Sequence, residues 1–116
     1  MIYREWDIVV VPFPFADQNR SKRRPALVIS PPALTERYGL YWLLQITSAK
    51  NHGWADDVPI EDMNAAGLPA PSVVRIPKLA TVDEPVILDR KGRLAERDRE
   101  AVAKVLLRYW PIANRV

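Results

Sequence analysis

Ile8-Val9-Val10-Val11-Pro12-Phe13-Pro14-Phe15, a polar loop, and then Lys22-Arg23-Arg24-Pro25-Ala26-Leu27-Val28-Ile29-Ser30 decide how this chain folds. Two apolar, β-rich runs are joined by a loop that ends in a basic cluster beside a proline. Pro25 fixes its own φ and biases Arg24 towards an extended backbone, so the second strand opens with a guanidinium on a stiffened chain. A cation at a strand mouth, next to a loop, suits an oligoanion. Lys22 and Arg23 read as solvated loop charges. Arg24 differs, because the strand that follows defines its position.

Working outward, Asp7 to Val11 is β-branched and nearly unbroken, which predicts a strand buried on both faces. Pro12 and Pro14 suit a chain leaving the sheet. Pro25 to Ser30 forms the second strand, Pro31-Pro32 ends it, and Ala33 to Tyr38 allows a helical turn before Gly39. Leu40 to Thr47 is a third strand, Ala49 to Trp54 a polar loop, and Val58 to Ile60 a short strand. Glu61 to Ala66 is a single turn capped by Gly67. Ser72 to Ile76 is a strand closed by Pro77, with short extended segments at Thr81-Val82 and Val86 to Leu88. After Gly92 the character changes. Ala101, Val102, Val105, Leu106 and Tyr109 recur at three- and four-residue spacing, an apolar helical stripe that Pro111 ends near Trp110. The fold class is α+β, mainly β: a small, strongly bent sheet or barrel closed by a C-terminal helix.

At 116 residues the chain is long enough for one domain, 1–116. The absence of cysteine excludes disulfides, thiolate zinc sites and a cysteine nucleophile. A single histidine, His52, excludes a multi-histidine metal site within one chain, and no cofactor is implied. No apolar run approaches the roughly 20 residues of a membrane span. The expectation is a cytoplasmic protein. Lys plus Arg outnumber Asp plus Glu by 17 to 14, a modest excess. Its distribution says more: Arg20, Lys22, Arg23 and Arg24 gather in the first loop, whereas Asp56, Asp57, Glu61 and Asp62 gather mid-chain.

Three positions stand out once the strands are placed. Arg24 opens the second strand, Thr47-Ser48 ends the third, and Arg75 lies within an otherwise apolar strand. Two arginines and a hydroxyl converging at one end of a barrel would bind a phosphate. The plainer readings are a local side-chain-to-backbone bond for Thr47 or Ser48, and an ion pair for Arg75 with an acid such as Glu84. His52 is a candidate general acid or base. Trp54 is placed to stack on an unpaired base. Trp6, Trp42 and Trp110 lie in apolar runs and read as core.

With these residues in place, the chain resembles the MazF/PemK family of toxins from toxin–antitoxin systems. The resemblance rests on Asp7 to Phe15, Arg24 to Ser30, Ile46-Thr47-Ser48, Ser72-Val73-Val74-Arg75, Leu79 to Asp83 and Gly92-Arg93-Leu94, in that order. It implies an SH3-like barrel, a homodimer, and a metal-independent endoribonuclease that cuts single-stranded RNA at short sequences. It also implies an antitoxin whose flexible acidic tail wraps the dimer and blocks the RNA groove. The family's central active-site pair matches Arg24 and Thr47, and an arginine used by some members matches Arg75. Asp17, Gln18, Arg20, Lys22 and Arg23 in the first loop, with Ser48, His52 and Trp54 after the third strand, are then assigned to RNA binding.

The chain departs from the pattern at three places. Pro77 replaces an aspartate that some members carry, Gln18 a histidine, and Trp6 a glycine before the first strand. His52, or a carboxylate such as Asp17, would have to serve as base. The expected reaction is attack of a ribose 2′-hydroxyl on the adjacent phosphate. Two rivals are a gyrase poison of the same fold, suggested by Trp110 near the chain's end, and a catalytically silent barrel that only binds RNA or a partner.

Overall fold

In the computed structural model, which describes residues 2–12, 23–51 and 53–110, the elements run β1 (Asp7–Val11), β2 (Arg24–Val28), α1 (Pro32–Tyr38), β3 (Leu40–Ser48), β4 (Asp57–Pro59), α2 (Met63–Ala66), β5 (Ser72–Asp83), a 3-10 turn (Glu84–Val86), β6 (Asp89–Arg93) and α3 (Glu96–Tyr109). The strands form one antiparallel sheet in the order β4-β5-β3-β2-β1-β6. β1 is buried along its whole length because it lies between β2 and β6 and is covered on both faces. One face carries Ile8, Leu27, Leu44, Ile46, Val74, Leu94 and, from α3, Val102. The other carries Val9, Val11, Ala26, Val28, Tyr41, Leu43, Val82 and Ile87.

Trp6 enters the sheet at φ 74°, in the left-handed region that glycine occupies without cost. Its amide donates to Val28 O at 2.8 Å and its carbonyl accepts from Leu94 N at 2.8 Å, so the neighbouring strands hold this conformation. A non-glycine residue there costs roughly 1–2 kcal/mol. Packing of the indole against the core opposes that cost. Next to it the Asp7 carboxylate is buried and accepts from Arg4 N (2.8 Å) and Arg93 Nη1 (3.0 Å), with Arg90 Nε at 3.2 Å.

Pro77 does not close the fifth strand. β5 continues to Asp83, and the pairing with β3 jumps from Leu44↔Leu79 to Gln45↔Arg75. Ile76, Pro77 and Lys78 form the bulge between them, where a residue without an N–H is tolerated. The bulge bends β5 and turns its first half, with Arg75, towards a different set of neighbours.

The two ends of the bent sheet are sealed by a helix rather than by a ladder. Asp62 caps α2 by accepting from Ala65 N at 3.0 Å, and the helix ends at Gly67 in the left-handed region at φ 72°. Here α2 rests on β6. A Cβ on Gly92 would lie 2.5 Å from Ala65 O and 2.6 Å from the Ala66 carbonyl carbon, and one on Gly67 would collide with the Lys91 carbonyl. Two glycines therefore let backbone meet backbone where the barrel closes.

Asp98 anchors α3 to this seam. It is 2% exposed and accepts from Glu61 N at 3.1 Å and Asp62 N at 3.0 Å. The buried stripe of α3 is accordingly narrower than the sequence periodicity gives. Val102 is fully buried and Val105 and Leu106 are half-buried, whereas Ala101 and Tyr109 are exposed. No described helix is long and apolar enough to cross a membrane.

Candidate functional site

The sheet register brings the candidate residues together. Ala26 faces Gln45, Gln45 faces Arg75, and Arg75 faces Asp57, making one row across β2, β3, β5 and β4. Arg24 and Thr47 lie two residues along from Ala26 and Gln45, so they share that sheet face. Continuing the β2–β3 register by two residues sets them opposite one another. Arg24 and Arg75 lie two strands apart and two residues apart along the sheet, so their backbones are on the order of 12 Å from one another on that face. This face is the one opposite α3, since Ala26 and Leu43 belong to the second core cluster.

Arg75 is the most constrained of these residues. Its Nε donates to Asp57 Oδ1 at 3.1 Å and its Nη2 to Oδ2 at 2.9 Å, with both side chains about one-tenth exposed or less. The ion-pair reading of Arg75 therefore has its acid in Asp57, not in Glu84. Oδ2 also accepts the Trp54 N–H at 2.8 Å. The Trp54 ring covers the guanidinium, with Cζ 4.7 Å from the ring centroid, a cation–π contact.

Burial would raise the Asp57 carboxyl, but hydrogen bonds from Arg75 and the Trp54 amide, with the Arg75 charge, hold it below its ordinary value. The same pairing pushes Arg75 up, against its own desolvation. A carboxyl lowered in the folded state stabilises the fold above its unfolded pKa of about 3.9 and loses that contribution as pH falls through the folded value. Melting of wild type and Asp57→Asn between pH 6 and pH 2 checks this. The stability gap between them should shrink in acid below about pH 4, and a gap independent of pH would contradict the assignment.

Thr47 Oγ1 accepts from Asn51 Nδ2 at 2.5 Å. That bond uses a lone pair and leaves the hydroxyl proton to donate outward. Ser48 is exposed and its Oγ accepts Lys50 N–H at 3.2 Å, the local bond that the plainer reading offered. Arg23 is exposed at the edge of the described chain. Trp54 is 44% exposed. Asp17, Gln18, Arg20, Lys22 and His52 lie outside the described residues.

Sequence reading missed three members of the site. Asp57 stood only as one of an acidic group, and its role appears when the β4–β5 register sets it against Arg75. Asn51 was one polar loop residue among several. Gln45 sits in a strand read for its aromatic and aliphatic residues; its Oε1 is buried with no hydrogen-bond partner among the described residues, in the row between the two arginines' strands. Among the described residues, no three His, Cys, Asp or Glu side chains group as metal ligands.

The adjacent Asp56 faces the other way. It accepts from Arg108 Nη1 at 3.0 Å and from the Tyr109 hydroxyl, tying the β3–β4 loop to the last turn of α3. Trp110 caps that helix and leans on Trp42 at 6.0 Å. It is not a core residue, being 40% exposed beside an apolar groove of about 440 Å³ lined by Leu44, Ile76, Leu79 and Leu106.

Comparison with known proteins adds the following. A family model described as PemK-like, MazF-like toxin of type II toxin–antitoxin systems matches residues 4–109. No curated protein sequence matches. Among solved structures, a MazF of Deinococcus radiodurans superposes with a TM-score of 0.73 at 23% identity, over 94% of this chain and 96% of that one. The Mycobacterium tuberculosis toxin MazF-mt6 superposes with a TM-score of 0.70 at 22% identity, over 88% and 93%. An endoribonuclease in complex with its cognate antitoxin, from a mycobacterial species, gives 0.68 at 11% identity, over 91% and 90%. At these identities the likeness to the solved structures is one of fold.

Proposed function

Because the chain belongs to the PemK-like, MazF-like toxins of type II toxin–antitoxin systems, we propose that it is a metal-independent endoribonuclease acting on single-stranded RNA as a homodimer and restrained by a cognate antitoxin. The observation that carries this reading is the shared face of Arg24, Thr47 and Arg75, two cations and a hydroxyl donor on one side of the sheet. The substrate supplies its own nucleophile. A ribose 2′-oxygen attacks the adjacent phosphorus, the bond to the 5′-oxygen breaks, and the products are a 2′,3′-cyclic phosphate and a 5′-hydroxyl. The 2′ proton goes to His52 or to a carboxylate such as Asp17, and the departing 5′-oxygen takes up a proton from water.

Charge develops on the non-bridging oxygens. Arg24 stabilises it as a fixed cation, since a guanidinium does not give up its proton near neutrality. Thr47 donates its hydroxyl proton to the same oxygens. Asp57 offsets part of the Arg75 charge. Arg20, Lys22 and Arg23 add positive charge for the RNA backbone. The antitoxin complex among the solved structures supports a partner of that kind for this chain.

Cleavage of a single-stranded oligoribonucleotide at sub-saturating concentration, across a salt series and with or without EDTA, tests the proposal. With about three to five phosphates held, and a single-strand slope of about −0.7 per phosphate, log rate against log salt should fall with a slope near −2 to −3.5. EDTA should change nothing, and the new ends should be 2′,3′-cyclic phosphate and 5′-hydroxyl. A flat salt response, or loss of activity in EDTA, would overturn it.

A further inference from the structure

We propose that Asp57 is a positioning residue for this reaction: its carboxylate locks Arg75 and Trp54 into one rigid unit that holds a single nucleotide, phosphate towards the guanidinium and base stacked on the outer face of the indole. The inference rests on the ribonuclease reading and assigns to that site a base-binding platform.

The geometry is specific. One carboxylate accepts three hydrogen bonds: two from the Arg75 fork at 3.1 and 2.9 Å and one from the Trp54 amide at 2.8 Å. The Asp57 amide returns a bond to Trp54 O at 3.0 Å, so the four-residue turn from Trp54 to Asp57 is closed in both directions. Backbone register reinforces it, because Asp57 and Arg75 are direct cross-strand partners. Trp54 belongs to neither core cluster. Burial does not explain a large indole held there, yet it is fixed through its backbone and through its inner face over Arg75.

Trp54 is thus 44% exposed beside a fixed cation. An unpaired nucleobase fits it, since every base has a π-face and stacking on aromatics is tolerant of sequence. A base on the outer face lies about 3.5–4 Å beyond the ring, one nucleotide's reach from the guanidinium. Removing Asp57 releases both halves together, which distinguishes it from a residue that only neutralises a buried charge.

The test uses a single-stranded oligoribonucleotide with one cleavage site, and versions with a base-free nucleotide at each position flanking the cut. Trp54→Ala should raise KM roughly 5- to 150-fold with kcat little changed. A base-free nucleotide at one flanking position should do the same to wild type, and the two changes together should cost no more than either alone. Asp57→Asn should raise KM, lower kcat and lose the sensitivity to that base-free position, with Asp57→Glu restoring part of it. Additive losses at every flanking position, or an Asp57→Asn enzyme that still senses the missing base, would overturn the platform. The base-free substrates probe wild type and so need no variant to fold. Cleavage by wild type that ignores every missing base removes the platform and keeps the ribonuclease. No cleavage at all removes both.

Discussion

Arg24→Ala should lower the rate of RNA cleavage by about two to three orders of magnitude, the usual loss when one preorganised donor to developing charge is removed. Arg24 is half-buried at the first residue of β2, outside both core clusters, so the variant should melt cooperatively and close to wild type. Arg24→Lys keeps the charge but not the planar fork and should recover only part of the activity. Thr47→Ala removes one hydrogen-bonding hydroxyl and no charge, and a loss of roughly two- to tenfold follows from the worth of one such bond. Growth inhibition on expression should follow the same order. An Arg24→Ala protein that cleaves at the wild-type rate, or that loses cleavage only because it no longer folds, would remove Arg24 from the mechanism.

Gly67→Ala should be the most damaging single methyl added to the fold. Its φ of 72° penalises any side chain, by roughly 1–2 kcal/mol, and the new Cβ meets the Lys91 carbonyl across the seam. Overpacking of that kind adds about 1–3 kcal/mol, because neither backbone can move without opening α2 or β6. Gly39→Ala is the internal control. Its φ of 68° carries the same backbone penalty, but nothing lies within 4 Å of the added Cβ. Urea unfolding of the two variants should therefore differ by the cost of the collision alone. Equal losses would mean that α2 and β6 are not pressed together as described.

β1, β2, β3 and α1 were legible because proline and glycine punctuate β-branched and aromatic runs there, and nothing tertiary overrides the local signal. β5 was not read as one strand, because Pro77 usually ends pairing and sequence does not reveal a bulge that absorbs it. β6 was missed because Asp89-Arg90-Lys91-Gly92-Arg93 is an edge strand that carries charge instead of alternating apolar residues. In the site, Arg24, Thr47 and Arg75 were visible as types of residue at strand ends. The partner of Arg75 was not, since the choice between Glu84 and Asp57 depends on which strand docks at the sheet edge. Trp110 reads as core by composition, yet it ends up at a helix terminus beside an open groove.

The place of β6 beside β1 carries a consequence for the timing of synthesis. Asp7 and Arg93, bonded to one another across that pair, are 86 positions apart. At about 5–20 residues per second, a ribosome takes about 4 to 17 s to make the second after the first. Throughout that interval β1 lacks its outer neighbour, and the core under β2 and β3 lacks Leu94 and Val102. The strands that carry Arg24, Thr47 and Arg75 are all made earlier, but the sheet that aligns them closes only when the last quarter of the chain arrives. A nascent toxin of this topology thus emerges unassembled, and its site forms only once β6 and α3 have been made.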